Sequence, residues 1–505
     1  MLLRALLLLG ATAIACLPAW LRGDWVGTEG RRVQIALEML HSGDWLVPTL
    51  GGEPTWAKPP LHYWLLAGCA WLFGDGHMVL RLPSVLGAFA GAFAAGELLR
   101  RWYGSAAGWL AALGILCAPV VVFTWPTAEI DPLFATLTAL SLWCLGVGVA
   151  RDRRALVLAS GACAGLAVLQ KGPPFLLFAV GAYLVWWRHR RLRHGLWHFV
   201  PLLALPLAYF VPLWLWRIDP GEMLAIANDE SVGRIATFEW RHVYETPLFW
   251  LRAVLVVMPF VLWCFWEWRG ARDARMNAVD LPLRMCSGSA VLAVALLTFF
   301  PARPTRYMLP NVLLFTFAVA PAVAHFYRHR GPMPRTVQWV VRALGCLGAA
   351  ALVLGPFVPR VGIAAFGFAL VVALLPRFVA TPRAVVLASL AVPLVAAWTV
   401  GLERTLDWPL NGRARASAGR LLRQELDARG ATQDLATRGH FDSGLLLAAG
   451  VLPRGDEQKR TIPSTRWLLR EVDWQPFESV DHVERLRLIL TDRTFVLLER
   501  TQAPR

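Results

Sequence analysis

The sequence has no C-x-x-C pair, no internal repeat and no low-complexity tract, and its 34 acidic residues are outnumbered by 50 lysines and arginines. Each shortage excludes something. The eight cysteines are scattered through apolar stretches, so they read as small buried hydrophobes and not as a metal cluster or disulfide frame. Without repeated halves, the chain does not read as a two-fold transporter. Charged residues make up only 17% of the 505 residues, against 57% hydrophobic, with mean hydropathy +0.49 and 25 tryptophans. A soluble protein of this length keeps a more polar surface. The net charge of +16 comes mainly from arginine, set in short clusters between apolar runs. That is the positive-inside arrangement of a membrane protein and gives no indication of nucleic-acid binding.

Apolar runs long enough to cross a bilayer, or nearly so, are predicted at Leu3–Leu21, Met78–Leu99, Trp109–Thr124, Pro132–Ala150, Ala155–Gln170, Phe175–Trp187, Phe199–Trp216, Leu248–Phe265, Ala290–Phe300, Met308–Phe326, Val337–Phe357, Val361–Leu375 and Ala384–Val400. The first is read as a retained span, although it has the look of a signal peptide. Arginine clusters mark alternate connections, which places the N-terminus in the cytoplasm and the loop 22–76 outside. With about 13 spans the C-terminal tail is also outside. The predicted class is an all-α polytopic membrane protein of residues 1–410 followed by a small α/β extracytoplasmic domain, 411–505. In that tail Leu421–Leu426 suggests helix, while Leu486–Leu490 and Phe495–Leu498 suggest strands.

The loop from Asp24 to Gly74 organises the rest. Connections longer than about 12–15 residues tend to be functional or disordered, and this one has too much apolar periodicity for disorder. Thr28 is a candidate N-cap with Glu29 in the first turn, where a negative charge suits the helix dipole. Val33, Ala36, Leu37 and Leu40 form one apolar face, with Arg31, Gln34 and Glu38 opposite. Gly43 is a stop signal. After the turn-rich Pro48–Pro54 patch, Lys58-Pro59-Pro60 opens a second apolar run, Leu61–Phe73, too short to span. Two juxtamembrane helices on the bilayer surface fit both runs.

TEGRRVQIALEML, SGDWLVPTLGGEP, AKPPLHYWLLA and LFG, in that order, resemble the first outer loop of the protein O-mannosyltransferase and aminoarabinose-transferase (ArnT-like) family. The resemblance implies a GT-C fold, about 13 transmembrane helices, and inverting transfer of a sugar from a polyprenyl phosphate. The acceptor would be a lipid A-like lipid, a glycan or a protein, on the outer face of a bacterial cytoplasmic (inner) membrane, with membrane lipids as surroundings.

Such a transfer needs a carboxylate for the acceptor proton, cations for the leaving phosphate and a pocket at the bilayer rim. Where the family shows an Asp-Glu pair this chain has Thr28-Glu29, so the base falls to Glu29, or to Asp24 four residues before Thr28. The bland readings are a dipole-complementing Glu29 and a solvated Asp24. Asp131, close to Glu129 at the start of a span, resembles the family's second acidic position; the competing reading is an interfacial cap before Pro132. Lys58 matches the lysine of the family's K-P-P word, where a donor phosphate is contacted, against a snorkelling surface lysine.

Arg303 and Arg306 lie on an outer turn, against the charge rule, and suggest a phosphate clamp with Tyr307; headgroup pairing is the alternative. Lys171-Gly172-Pro173 resembles a family turn that is structural or supports the phosphate site. Glu230, Arg234 and His242 resemble a further outer-loop pattern in which the histidine could bond the donor or ligate a metal. No cofactor is specified; a divalent metal remains possible. The competing classes are a polytopic transporter or lipid-handling permease, and an inactive scaffold that has lost its base.

Overall fold

The computed structural model describes residues 1–21, 25, 28–188, 192–216, 221, 280–298, 305–328, 390, 394, 408–428, 435–437, 443–449, 466–470, 482–489 and 494–500. The chain divides into two compact units, Met1–Trp20 with Pro83–Glu403, and Leu21–Leu82 with Arg404–Arg505.

Among the described residues of the first unit the regular elements are all helices. α1 (Leu2–Trp20), α4 (His77–Tyr103, whose first six residues belong to the second unit), α7 (Asp131–Ala150), α8 (Arg154–Lys171), α9 (Pro174–Trp187), α10 (Phe199–Trp216) and α12 (Leu309–Arg328) lie close to the predicted apolar runs. Four helices among the described residues are long and apolar enough to cross a membrane: α4, α7, α8 and the run Arg193–Leu215. Two expectations need correction. The run Trp109–Thr124 is broken into α5 (Ser105–Leu116) and α6 (Pro119–Thr124), because Pro119 opens a new helix and Ala118 before it is extended. The run Ala290–Phe300 begins ten residues earlier, as α11 (Asp280–Leu297), which keeps Arg284 within its first turns. The predicted spans Leu248–Phe265, Val337–Phe357 and Val361–Leu375 lie outside the described residues, as does all but two positions of Ala384–Val400.

Aromatic side chains join the helices. Trp143 on α7 stacks on Phe317 of α12 with ring centroids 4.8 Å apart, and Phe134 of α7 meets Phe178 of α9 edge-on at 6.0 Å. A buried polar chain ties α8, α9 and the turn Leu192–His198 together. The Ser160 hydroxyl donates to the Val157 carbonyl at 2.7 Å, so it must accept from His198 Nδ1, also at 2.7 Å. His198 Nε2 is then the acceptor for the Tyr183 hydroxyl at 2.8 Å. The six described cysteines are free thiols.

The second unit holds α2 (Glu29–Ser42) and α3 (Leu61–Phe73), bounded as predicted. Gly43 ends α2 in the left-handed conformation at φ 73°, with its amide on the Met39 carbonyl. Thr28 stands at the N-cap position, but its side chain makes no capping hydrogen bond. Of the expected polar face, Arg31 is exposed but Gln34 and Glu38 are buried. The cause is the Pro48–Pro54 patch, which folds into a two-stranded hairpin, β1 (Thr49–Leu50) and β2 (Glu53–Pro54), capped onto Glu38.

The C-terminal part of this unit has α13 (Trp408–Asp427), α14 (Ser443–Ala448) and a four-stranded sheet. The strands are β3 (Leu435–Thr437), β4 (Arg466–Arg470), β5 (His482–Ile489) and β6 (Thr494–Arg500), in the order β3-β4-β6-β5. β3 and β4 are parallel, and the other pairs antiparallel. Leu422, Leu426, Leu445, Leu446, Leu488 and Leu497 form its core, and α14 also packs against α2.

Candidate functional site

In the first unit, four chain segments bring opposite charges together. Asp131 opens α7, with Pro132 behind it fixing the helix start. Lys171 closes α8, where Gly172 at φ 86° turns the chain away. Arg306 and Tyr307 stand on the turn Thr305–Met308 before α12. Glu129 precedes Asp131 on the connecting loop, its backbone carbonyl accepting from the Ser84 hydroxyl at 3.3 Å. Gln170 donates to the Ile130 carbonyl at 3.1 Å, which fixes the loop between the two acids.

The side chains meet as follows. Lys171 Nζ is paired with Asp131 Oδ1 and lies 4.1 Å from the centre of the Tyr307 ring. Arg306 reaches both acids, Nη1 to Glu129 Oε1 at 3.4 Å and Nε to Asp131 Oδ2 at 3.5 Å. Asp131, Glu129 and Lys171 are buried, whereas the Arg306 side chain is 28% exposed. Charge-assisted bonds normally run at about 2.7–2.9 Å, so Arg306 is held loosely and Lys171 tightly. Two carboxylates and two cations form a neutral cluster. An incoming dianion would compete with the carboxylates for both cations.

The second unit carries a different constellation. Glu29 is fully buried and both its oxygens accept from Arg81, at 2.9 and 3.0 Å. The Arg81 guanidinium lies 5.4 Å from the Trp25 ring centre, and Trp25 stacks on His77 at 4.2 Å. Arg32 Nη1 donates to the Tyr63 hydroxyl at 2.8 Å, tying α2 to α3. Glu38 accepts from the Gln34 amide, the Thr49 hydroxyl and the Gly51 and Gly52 amides at 2.8–3.0 Å. Burial pushes the Glu38 carboxyl up from the ordinary glutamate range, against the downward pull of those four donors. Lys58 is half-buried in the loop before Pro59.

Of the residues singled out in the sequence, Asp131, Lys171, Arg306 and Tyr307 share one cluster. Glu29 and Lys58 belong to the second unit. Asp24, Arg303, Glu230, Arg234 and His242 lie outside the described residues. Among the described residues no group of three or more His, Cys, Asp or Glu side chains could hold a metal ion. Sequence reasoning missed Arg81, although one arginine inside the apolar run Met78–Leu99 was a usable signal, since an ionisable group within a span demands a partner. It also gave Glu129 no role of its own.

Residues 57–216 match the family profile of dolichyl-phosphate-mannose-protein mannosyltransferases. Over its whole length the chain superposes on crystal structures of ArnT from Cupriavidus metallidurans. The form bound to undecaprenyl phosphate gives a TM-score of 0.75 at 18% identity with 99% of each chain covered, and the apo form gives 0.72. The fold is that of the ArnT-like GT-C glycosyltransferases.

Curated ArnT-like relatives agree with the fold. The undecaprenyl phosphate-alpha-4-amino-4-deoxy-L-arabinose arabinosyl transferase of Pseudomonas savastanoi pv. phaseolicola is 28% identical over 370 residues, 69% of this chain and 66% of that protein. A second such enzyme, from Pseudomonas fluorescens Pf0-1, is 26% identical over 471 residues, 83% of this chain and 81% of the relative. The chain spans between 56% and 66% of the length of three of the relatives it matches.

Proposed function

We propose that this chain is an integral-membrane glycosyltransferase that moves a sugar from a polyprenyl phosphate to an envelope acceptor. Its site would face the outside of the bacterial inner membrane. The relatives named above are transferases that use undecaprenyl phosphate-linked aminoarabinose, which favours this reading over a permease. The acceptor would be a lipid, a glycan or a protein of the envelope.

The observation that carries the reading is the Lys171–Asp131–Arg306–Glu129 cluster beside Tyr307. In the reaction, an acceptor oxygen attacks the anomeric carbon, the bond from that carbon to the phosphate oxygen breaks, and the phosphate leaves with the electron pair. Arg306 and Lys171 take that charge. As they turn to the phosphate, Asp131 and Glu129 lose cationic partners and become better proton acceptors. Asp131 is therefore assigned the acceptor proton, with Glu129 beside it. Glu29, with both oxygens already held by Arg81, is assigned to positioning α2 against the start of α4.

The test is transfer by the purified chain from polyprenyl-phosphate sugars. Lys171→Met and Asp131→Asn should each lower turnover at least a hundred-fold, the scale of a lost charge stabiliser or proton acceptor. Unchanged turnover in both variants overturns the assignment.

A further inference from the structure

A cationic site lies in the first unit, far from the neutral cluster above. It is a cleft lined by Arg4 and Leu8 of α1, Phe93 and Glu97 of α4, and Trp109 of α5. Glu97 gathers three guanidiniums. Arg100 binds it through Nε at 2.8 Å and through Nη2, Arg101 Nε donates at 3.1 Å, and Arg4 Nη1 stands 3.9 Å away. Arg4 is held in place by the Ser105 hydroxyl, which accepts from Nη2 at 2.7 Å, and by the Trp109 ring, 5.2 Å from its guanidinium carbon. Three cations to one carboxylate leave two positive charges in excess. The side chains of Arg100 and Arg101 are 38% and 58% exposed, so the surplus charge faces outward.

The opposite wall is apolar. Leu8, Phe93 and Trp109 line it, and α4 and α5 cross so closely that a Cβ at Gly96 would sit 3.1 Å from the Gly108 carbonyl oxygen. A pocket with a cationic rim and an apolar wall has the amphipathic pattern of a phospholipid. Its depth also fits. Ser84 of α4 contacts the Glu129 loop at the first cluster, and Glu97 lies thirteen residues further along the same helix. At 1.5 Å per residue that is about 20 Å, most of the thickness of a hydrocarbon core of about 30 Å.

We infer that this pocket binds the phosphate headgroup of an anionic phospholipid in the leaflet opposite the Lys171–Asp131 cluster. The phosphate sits against Arg4, Arg100 and Arg101, and an acyl chain runs along the partly buried Phe93 and Trp109. Glu97 holds the guanidiniums together when no lipid is present.

The experiment is native mass spectrometry of the full chain released from nanodiscs that contain phosphatidylglycerol and phosphatidylcholine with identical acyl chains. Wild type should retain phosphatidylglycerol selectively, and Arg101→Gln and Arg4→Gln should each lower that selectivity roughly five-fold, as expected for one basic residue at an anionic surface. Arg101→Gln removes an exposed side chain, so its result does not depend on refolding of α1. Arg153→Gln, at another exposed arginine of the same unit, should leave retention unchanged; an equal loss there means diffuse surface charge and overturns the inference. Displacement of the lipid by inorganic phosphate alone would mark a free-phosphate site and overturn the lipid assignment. Equal retention of the two lipids by wild type would overturn it as well.

Discussion

Replacing Glu29 by Gln separates a positioning role from a catalytic one. In wild type the carboxylate and the Arg81 guanidinium are both essentially without solvent, and two bonds of 2.9 and 3.0 Å join them. The glutamine keeps the shape but offers one acceptor oxygen and turns an amide N–H toward a guanidinium that can only donate. The buried guanidinium loses the Glu29 carboxylate. Breaking a buried pair from one side costs about 3–5 kcal/mol. For a cooperative unit of roughly 150–250 residues, each kcal/mol moves Tm by about 2–4 °C, so Glu29→Gln should lower the melting temperature of the purified chain by roughly 6 °C or more. Removing both charges with Glu29→Met and Arg81→Met should restore most of that loss, since apolar replacement of a whole buried pair is often neutral. Transfer activity should follow folded fraction in both variants. If Glu29→Gln keeps the wild-type melting temperature while turnover collapses, Glu29 is the proton acceptor and the positioning argument is wrong.

Two further outcomes follow from the geometry. Tyr307→Phe keeps the aromatic face 4.1 Å from Lys171 and should leave the donor KM near wild type. Tyr307→Leu removes that face and should raise the KM roughly two- to thirty-fold, the range of about 0.5–2 kcal/mol for such a contact; equal effects from Phe and Leu would show that the hydroxyl matters instead. Glu38 gives a pH dependence. Because burial raises its folded value above the unfolded one, its protonated form favours the folded hairpin, and the stability it contributes is fully present below the unfolded value and lost as pH rises through the raised one. Proteolytic protection of residues 44–56 should fall over that interval in wild type, and Glu38→Gln should flatten the slope; an identical slope in both would refute the account.

The sequence made the helical scaffold legible because lipid imposes a simple rule: long apolar runs bounded by arginines. It also yielded α2, α3 and the Gly43 stop, since caps and periodicity are local signals. The break at Pro119 was legible in principle, as proline bars continuation of a helix into it. What remained hidden was pairing across distance. Nothing local says that Arg81 closes on Glu29 fifty-two residues earlier, or that Arg306 bridges Glu129 and Asp131 from the far end of the unit. Helical spacing placed Glu38 opposite the apolar face; the hairpin that covers it is only visible once Thr49, Gly51 and Gly52 fold back. The family resemblance led to Lys171 and Tyr307, while the contact between them came from geometry alone.

The chain from Tyr183 through His198 to Ser160 has a bearing on how this protein can evolve. Each proton in it has one destination, and the last goes to a main-chain oxygen that cannot mutate away. Phenylalanine at 183 strands an imidazole nitrogen among lipid-facing helices, and alanine at 160 strands the other. The three positions are therefore inherited as a set: drift at one is tolerated only when the other two turn apolar with it, so lineages should carry all three polar residues or none.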